Sequence, residues 1–157
     1  MRLIEFAQPT ISQEDLQQLV ESANANDWTL LEGDSNVQVL TGKLFAKTLK
    51  KLGRDAQVAA RLKDFIEFKK ENPLQPFGGK DYPLTGKGPI ARAFPNMLHA
   101  HITSDVSVFY TVEGQGPVEL KLYGLFRHDD VGFGNKGSGG GGTQKQKQTV
   151  EKFKSQF

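Results

Sequence analysis

Apolar residues recur at helical spacing in three stretches of the chain, and four others have the pattern of strands. Ser12 can cap a helix, with Asp15 in the position from which a carboxylate reaches back to the cap. Leu16, Leu19, Val20 and Ala23 then share one face, which predicts a helix from about Gln13 to Ala25. Asn24, Asn26 and Asp27 end it, and Gly33-Asp34-Ser35-Asn36 reads as a turn. Val37-Gln38-Val39-Leu40 alternates as a strand does. Leu44, Phe45, Thr48, Leu49 and Leu52 mark a second helix that Gly53 closes. A third is predicted from about Asp55 to Glu71, with Val58, Ala59, Leu62, Phe65, Ile66 and Phe68 on its apolar side. Asn72-Pro73 stops it, because a residue before proline disfavours helical backbone.

Pro73, Pro76, Pro83, Pro89 and Pro95, with Gly78, Gly79, Gly86 and Gly88, make the stretch from Asn72 to Asn96 a predicted loop. Three strands are expected after it, at Met97–Thr103, Val106–Glu113 and Val118–Phe126, with a turn at Gly114-Gln115-Gly116. Strands joined by short turns run antiparallel. The pattern is therefore α+β: an antiparallel sheet of about four strands, an αα-hairpin packed on one face, and an extra N-terminal helix. Trp28 and Leu30-Leu31 read as buried anchors for the N-terminal addition. After Gly134, five glycines around Ser138 have the composition of a linker. Thr143 to Phe157 reads equally as a short basic helix, with Val150 and Phe153 on one side, or as a disordered tail. The expected organisation is an acidic extension over 1–36, a folded domain over 37–135, and a Gly-rich linker with a basic tail over 136–157.

Composition changes this picture in two ways. The sequence has no cysteine, so disulfides, thiolate metal sites and cysteine nucleophiles are excluded. The net charge of +2 also hides an asymmetry. Met1 to Gly42 carries one basic residue, Arg2, against seven acidic ones; the other 19 basic and 11 acidic residues lie between Lys43 and Phe157. That suits a basic body facing a polyanion, or is merely a variation of surface charge. No apolar run is long enough to span a bilayer and no secretory signal is evident at Met1, so a cytoplasmic protein without a membrane partner is expected.

The chain has three histidines, His99, His101 and His128. The first and third strands of a meander point the same way, so their C-terminal ends meet at one sheet edge. This can gather His101, Asp105, Arg127 and His128 there. Cleaving RNA without a metal takes a base for the ribose 2′-hydroxyl, an acid for the leaving 5′-oxygen and cationic donors for the phosphorane; histidine suits both proton roles. Polar residues also cluster at strand ends simply because solvent is there. Asp129 and Asp130 read as a solvated turn, and the glycine run lacks the Gly-Lys-Ser/Thr of a phosphate loop.

Lys80-Asp81-Tyr82-Pro83-Leu84-Thr85-Gly86 resembles the Lys-Asp-His-Pro-Leu-x-Gly loop of YafQ-type toxins in the RelE/ParE superfamily. Ala100-His101-Ile102-Thr103-Ser104-Asp105-Val106 is similar to that family's Ala-His-x-x-x-Asp-Trp turn, and Val108-Phe109-Tyr110 to the strand after it. Gly124-Leu125-Phe126-Arg127-His128, continuing to Phe133-Gly134, resembles its last strand. Together with the helix pair the resemblance covers about Val37 to Asn135. Tyr82 stands in place of the family's loop histidine, Val106 of its tryptophan, and Gly124 of its strand arginine, for which Arg127 and Lys121 are the candidate substitutes.

The resemblance implies a RelE-like fold and an endoribonuclease that cleaves mRNA on the ribosome by attack of the 2′-hydroxyl, with no metal and no other cofactor. Carried over by position, His101, Asp105 and His128 are expected to be catalytic, with Arg127 stabilising charge. Lys80, Tyr82, Tyr110, Lys121 and Phe133 are expected to bind substrate. Lys43, Lys47, Lys50, Lys51 and Arg54 recur along the first hairpin helix, as a contact to ribosomal RNA or as a solvated face. A cognate antitoxin protein is the further partner implied. The alternative is a degenerate member that acts by binding another macromolecule, such as gyrase or an antitoxin. The acidic N-terminal segment is either a structural extension or a cover for the basic face.

Overall fold

The computed structural model describes residues 29–33, 37–84, 88–114, 118–131 and 140–155. The helix expected at Gln13–Ala25, Trp28 and Phe133 lie outside them, as do the side chains of Leu30 and Leu31. Strands β1 (Thr29–Gly33) and β2 (Val37–Thr41) precede helices α1 (Lys43–Leu52) and α2 (Ala56–Glu71). Then come β3 (Asp81–Pro83), α3 (Pro89–Ala93), β4 (Leu98–His101), β5 (Val106–Glu113) and β6 (Val118–Arg127). A 3-10 turn over His128–Val131 and helix α4 (Gly140–Lys154) complete the described elements. No helix among the described residues is long and apolar enough to cross a membrane.

The α+β class and the αα-hairpin are as the sequence pattern predicts. Asp55 caps α2, its carboxylate accepting from the Gln57 and Val58 N–H groups at 2.9 and 3.4 Å. Gly53 is the C-cap of α1, its N–H on the Leu49 carbonyl, where a β-carbon would sit 2.6 Å from that oxygen. The sheet is larger than the expected four antiparallel strands. Its order is β1-β2-β6-β5-β4-β3, and β2 runs parallel to β6 while every other pairing is antiparallel. Strands 77 residues or more apart, such as β2 and β6, share no turn from which a direction could be read.

The loop expected from Asn72 to Asn96 contains two short elements. β3 is an edge strand, where proline at Pro83 costs no ladder hydrogen bond, and Pro89 begins α3, where a missing N–H is harmless. β1 also falls where no strand was predicted, joining residues 29–33 to the sheet.

The sheet separates two apolar layers. On one face Phe45 and Leu49 of α1 and Leu62, Phe65 and Ile66 of α2 pack on Val39, Val108, Leu120, Leu122 and Leu125. Leu122 and Leu125 break the two-residue period by one position. A bulge in β6, where the partner of Phe109 is Gly124 and that of Tyr110 is Leu122, absorbs the extra residue and keeps both leucines on the core side. On the other face Ile90, Phe94, Val150 and Phe153 cover Met97, Phe109, Tyr123 and Phe126. Phe153 is wholly buried, its ring 5.5 to 5.9 Å from those of Tyr123, Phe94, Phe109 and Phe126. The C-terminal stretch is thus a packed helix, begun inside the glycine run. Glycine costs a helix about 1 kcal/mol relative to alanine, so tertiary burial rather than local propensity holds it.

Candidate active site

Alternation along β4 sends Leu98 and Ala100 to the hairpin core and His99 and His101 to the opposite face. His101 lies across from Ser107 on β5, and Ser107 from Phe126 on β6. His128 begins the 3-10 turn just past β6, with its backbone N–H on the Asp105 carbonyl at 2.9 Å. The β4–β5 connection is tight: the Ile102 and Thr103 N–H groups bond the Val106 carbonyl, and Thr103 Oγ1 accepts from the Asp105 and Val106 N–H groups. These bonds bring the His101 and His128 rings to 4.6 Å between centroids. His99 stands 5.5 Å from His101, and the half-exposed Tyr82 ring meets His99 edge-on at 4.8 Å.

Burial, aided by His101, pushes His99 down to about 4, so it is neutral around pH 7. Its neighbours Tyr82 and Phe109 make it an aromatic support for the cluster. His101 is also held below the ordinary histidine value, first by burial and then by the charges of His128 and Lys80. Lys80 further accepts the His101 N–H on its backbone carbonyl at 2.8 Å. Arg127 bonds the Asp105 carboxylate at 3.1 Å, both side chains about half exposed.

The structure brings His101, Asp105, Arg127 and His128 to one sheet edge, with Tyr82 on the adjoining strand β3 and Lys80 just before it. Two expected substrate contacts are elsewhere. Tyr110 is fully buried on the hairpin face, where its hydroxyl bonds Asp81. Asp81 also pairs with Lys69 at 2.7 Å and accepts from the Phe77 N–H at 2.7 Å, and Lys69 donates to the Gln75 carbonyl. Burial, then the Asp81 carboxylate, raises Tyr110 well above the ordinary tyrosine value. It is a core residue, because the strand period puts it on the wrong face. Lys121 pairs with Glu113 at 3.6 Å and lies six residues before Arg127 along β6, roughly 20 Å away. It cannot serve the same phosphate as the histidines.

Gly124 leaves no room for the arginine expected by resemblance. A β-carbon there would lie 2.5 Å from the Phe126 ring, which packs on Phe109 and Phe153. Arg127 ends β6 on the hairpin face, across from Val106, and its guanidinium is held at this edge by Asp105, with Lys80 as a second cation there. Of the five basic residues on and after α1, all exposed, Lys43, Lys47 and Lys51 line a cleft of about 690 Å³ together with Lys152 of α4. Leu125, Phe126 and Asp130 also line it, so it borders the turn that carries His128. Lys50 and Arg54 are outside that lining.

Sequence reasoning missed Ser107, whose Oγ lies 2.9 Å from His128 Nε2. A lone hydroxyl in the apolar run Val106-Ser107-Val108-Phe109 was the available signal. No cluster among the described residues has the three or more His, Asp or Glu groups of a metal site.

No protein-family model matches this sequence, and the curated proteins give no significant match. In structure the chain is similar to a YoeB/ParE toxin from Agrobacterium tumefaciens, at 22% identity and a TM-score of 0.48, covering 57% of this chain and 97% of that one. It is also similar to a chain in the crystal structure of the E. coli DinJ–YafQ complex, at 16% identity and a TM-score of 0.43, covering 58% and 92%. These are likenesses of shape over a little more than half of this chain. The roles argued below rest on side-chain geometry.

Proposed function

We propose that this chain is a toxin-like endoribonuclease, with the paired rings of His101 and His128 as its proton-transfer centre. The observation that carries this reading is their 4.6 Å separation at an open sheet edge beside the Arg127–Asp105 pair. Two imidazoles this close disfavour a second positive charge, which separates a base from an acid. His101, held below the usual value by burial and by His128, is the base for the 2′-hydroxyl. His128 then protonates the leaving 5′-oxygen. Arg127, held at the end of the sheet by Asp105, is the cation that reaches round the strand end to the phosphorane charge, and Tyr82 offers an exposed ring on which a base can stack.

The lysine-lined cleft supports a nucleic-acid substrate, because clustered cations beside a site favour a polyanion. Ribosome-bound mRNA is the substrate we infer, with the α1 lysines against ribosomal RNA. A protein antitoxin is the partner implied by the sequence resemblance.

The test is incubation of the purified full chain with an RNA oligonucleotide and with programmed ribosomes, in the presence of a metal chelator. Products ending in 2′,3′-cyclic phosphate and 5′-hydroxyl are expected. His101→Ala and His128→Ala should each slow cleavage by about 10²- to 10⁴-fold. The rate should rise with pH through a value below 6.5, since His101 must be neutral and its own value is lowered. Growth inhibition that persists in both variants with RNA uncut would replace this reading by the binding-module alternative.

A further inference from the structure

Ser107 is wholly buried between Val106 and Val108, second in the strand that separates His101 from His128. An alanine would fill nearly the same space. A buried hydroxyl loses hydration, and that loss must be offset by a bond. The bond is to His128 Nε2 at 2.9 Å. A ring nitrogen bonded to a buried hydroxyl is turned away from solvent, which leaves Nδ1 as the only nitrogen that can meet a substrate.

We infer that Ser107 is a positioning residue for His128: its Oγ accepts from Nε2–H and thereby makes Nδ1 the nitrogen that gives the proton to the leaving group. This deepens the endoribonuclease reading and rests on it. Proton balance is simple. The imidazolium carries a proton on each nitrogen, with Nε2–H on Ser107. Nδ1–H passes to the departing 5′-oxygen as the phosphorus–oxygen bond breaks. The ring is left neutral with Nε2–H still bonded, and water returns a proton to Nδ1. A hydroxyl oxygen serves as the acceptor in both charge states without moving.

Among the described residues, the other charged groups near His128 make different bonds. Asp105 offers it a backbone carbonyl and gives its carboxylate to Arg127. His101 lies against the ring, and the charge of Lys80 acts on His101. Ser107 is the group whose hydrogen bond reaches the ring nitrogen itself.

The experiment combines ring ¹⁵N–¹H spectroscopy with cleavage kinetics on the full chain. In the wild type the neutral His128 ring should show an Nε2–H proton in slow exchange with water. Ser107→Ala should lose that protection and lower kcat about 10- to 100-fold, with KM changed by less than about twofold. Ser107→Cys, of nearly the same volume and a weaker acceptor, should fall between, and stands in if the alanine variant is unfolded. An Nε2–H signal missing from the wild type, or protection and kcat unchanged in both variants, would overturn the inference. A protected Nε2–H that is lost in Ser107→Ala, in a wild type that cuts no RNA, would sink the nuclease reading while confirming the ring's orientation.

Discussion

Asp81 and Tyr82 are neighbours in the chain but face opposite sides of the sheet, and each belongs to a polar cluster of different character. Asp81 is almost fully buried with Lys69 and Tyr110, and both its oxygens are bonded. Tyr82 is half exposed beside a row of histidines that ends at an open edge. The first cluster has an acid, a base and a hydroxyl in contact, the composition of many active sites. Its groups are saturated and sealed from substrate, so it can only hold the fold together. The second contains weaker bonds and more solvent, and its side chains remain available. Saturation and access, rather than residue type, separate a structural cluster from a working one.

The largest effect should come from breaking the buried cluster. Asp81→Ala strands the Lys69 ammonium in the core and should cost about 3–5 kcal/mol in urea unfolding. Replacing both partners, Lys69→Met with Asp81→Asn, should restore part of that loss. A single variant as stable as the wild type would mean that the cluster is not structural. Next is Phe153→Ala, which opens a cavity between α4 and Phe109, Tyr123 and Phe126. It should lower stability by about 3 kcal/mol, and a melt unchanged by it would show that α4 does not pack on the sheet.

A pH titration sharpens the comparison from the histidine side. Unfolded, His99 takes up a proton near 6.5; folded, it resists until about 4. Its folded value is depressed, so the unfolded state binds more protons in that window. Stability should therefore fall by no more than about 3 kcal/mol as pH drops from 6.5 to 4, and His99→Phe should flatten that slope. The smallest effect belongs to the exposed ion pair. Arg127→Ala should change stability by less than about 1 kcal/mol while slowing RNA cleavage. A large loss of stability there would erase the contrast between the clusters.

Much of the architecture was legible without coordinates. The helices of the hairpin and the meander strands follow from local periodicity and from the residues that end each element. The proximity of His101, Asp105, Arg127 and His128 follows from strand direction alone. The parallel β2–β6 pairing, the short β3 and α3, and the seating of Phe153 depend on partners far along the chain, where local rules give no signal. The bulge in β6 decides faces in the same way, since one extra residue reverses every side chain beyond it.

The sequence by itself thus determined the order of elements and the chemical types at the sheet edge, because both depend on spacing along one strand or helix. Only the tertiary structure decided that Tyr110 belongs to the core, that Lys121 is out of reach, that Phe126 fills the space beside Gly124, and that Ser107 holds His128. Each of these turns on which side chains meet across separate strands, a matter of register and packing.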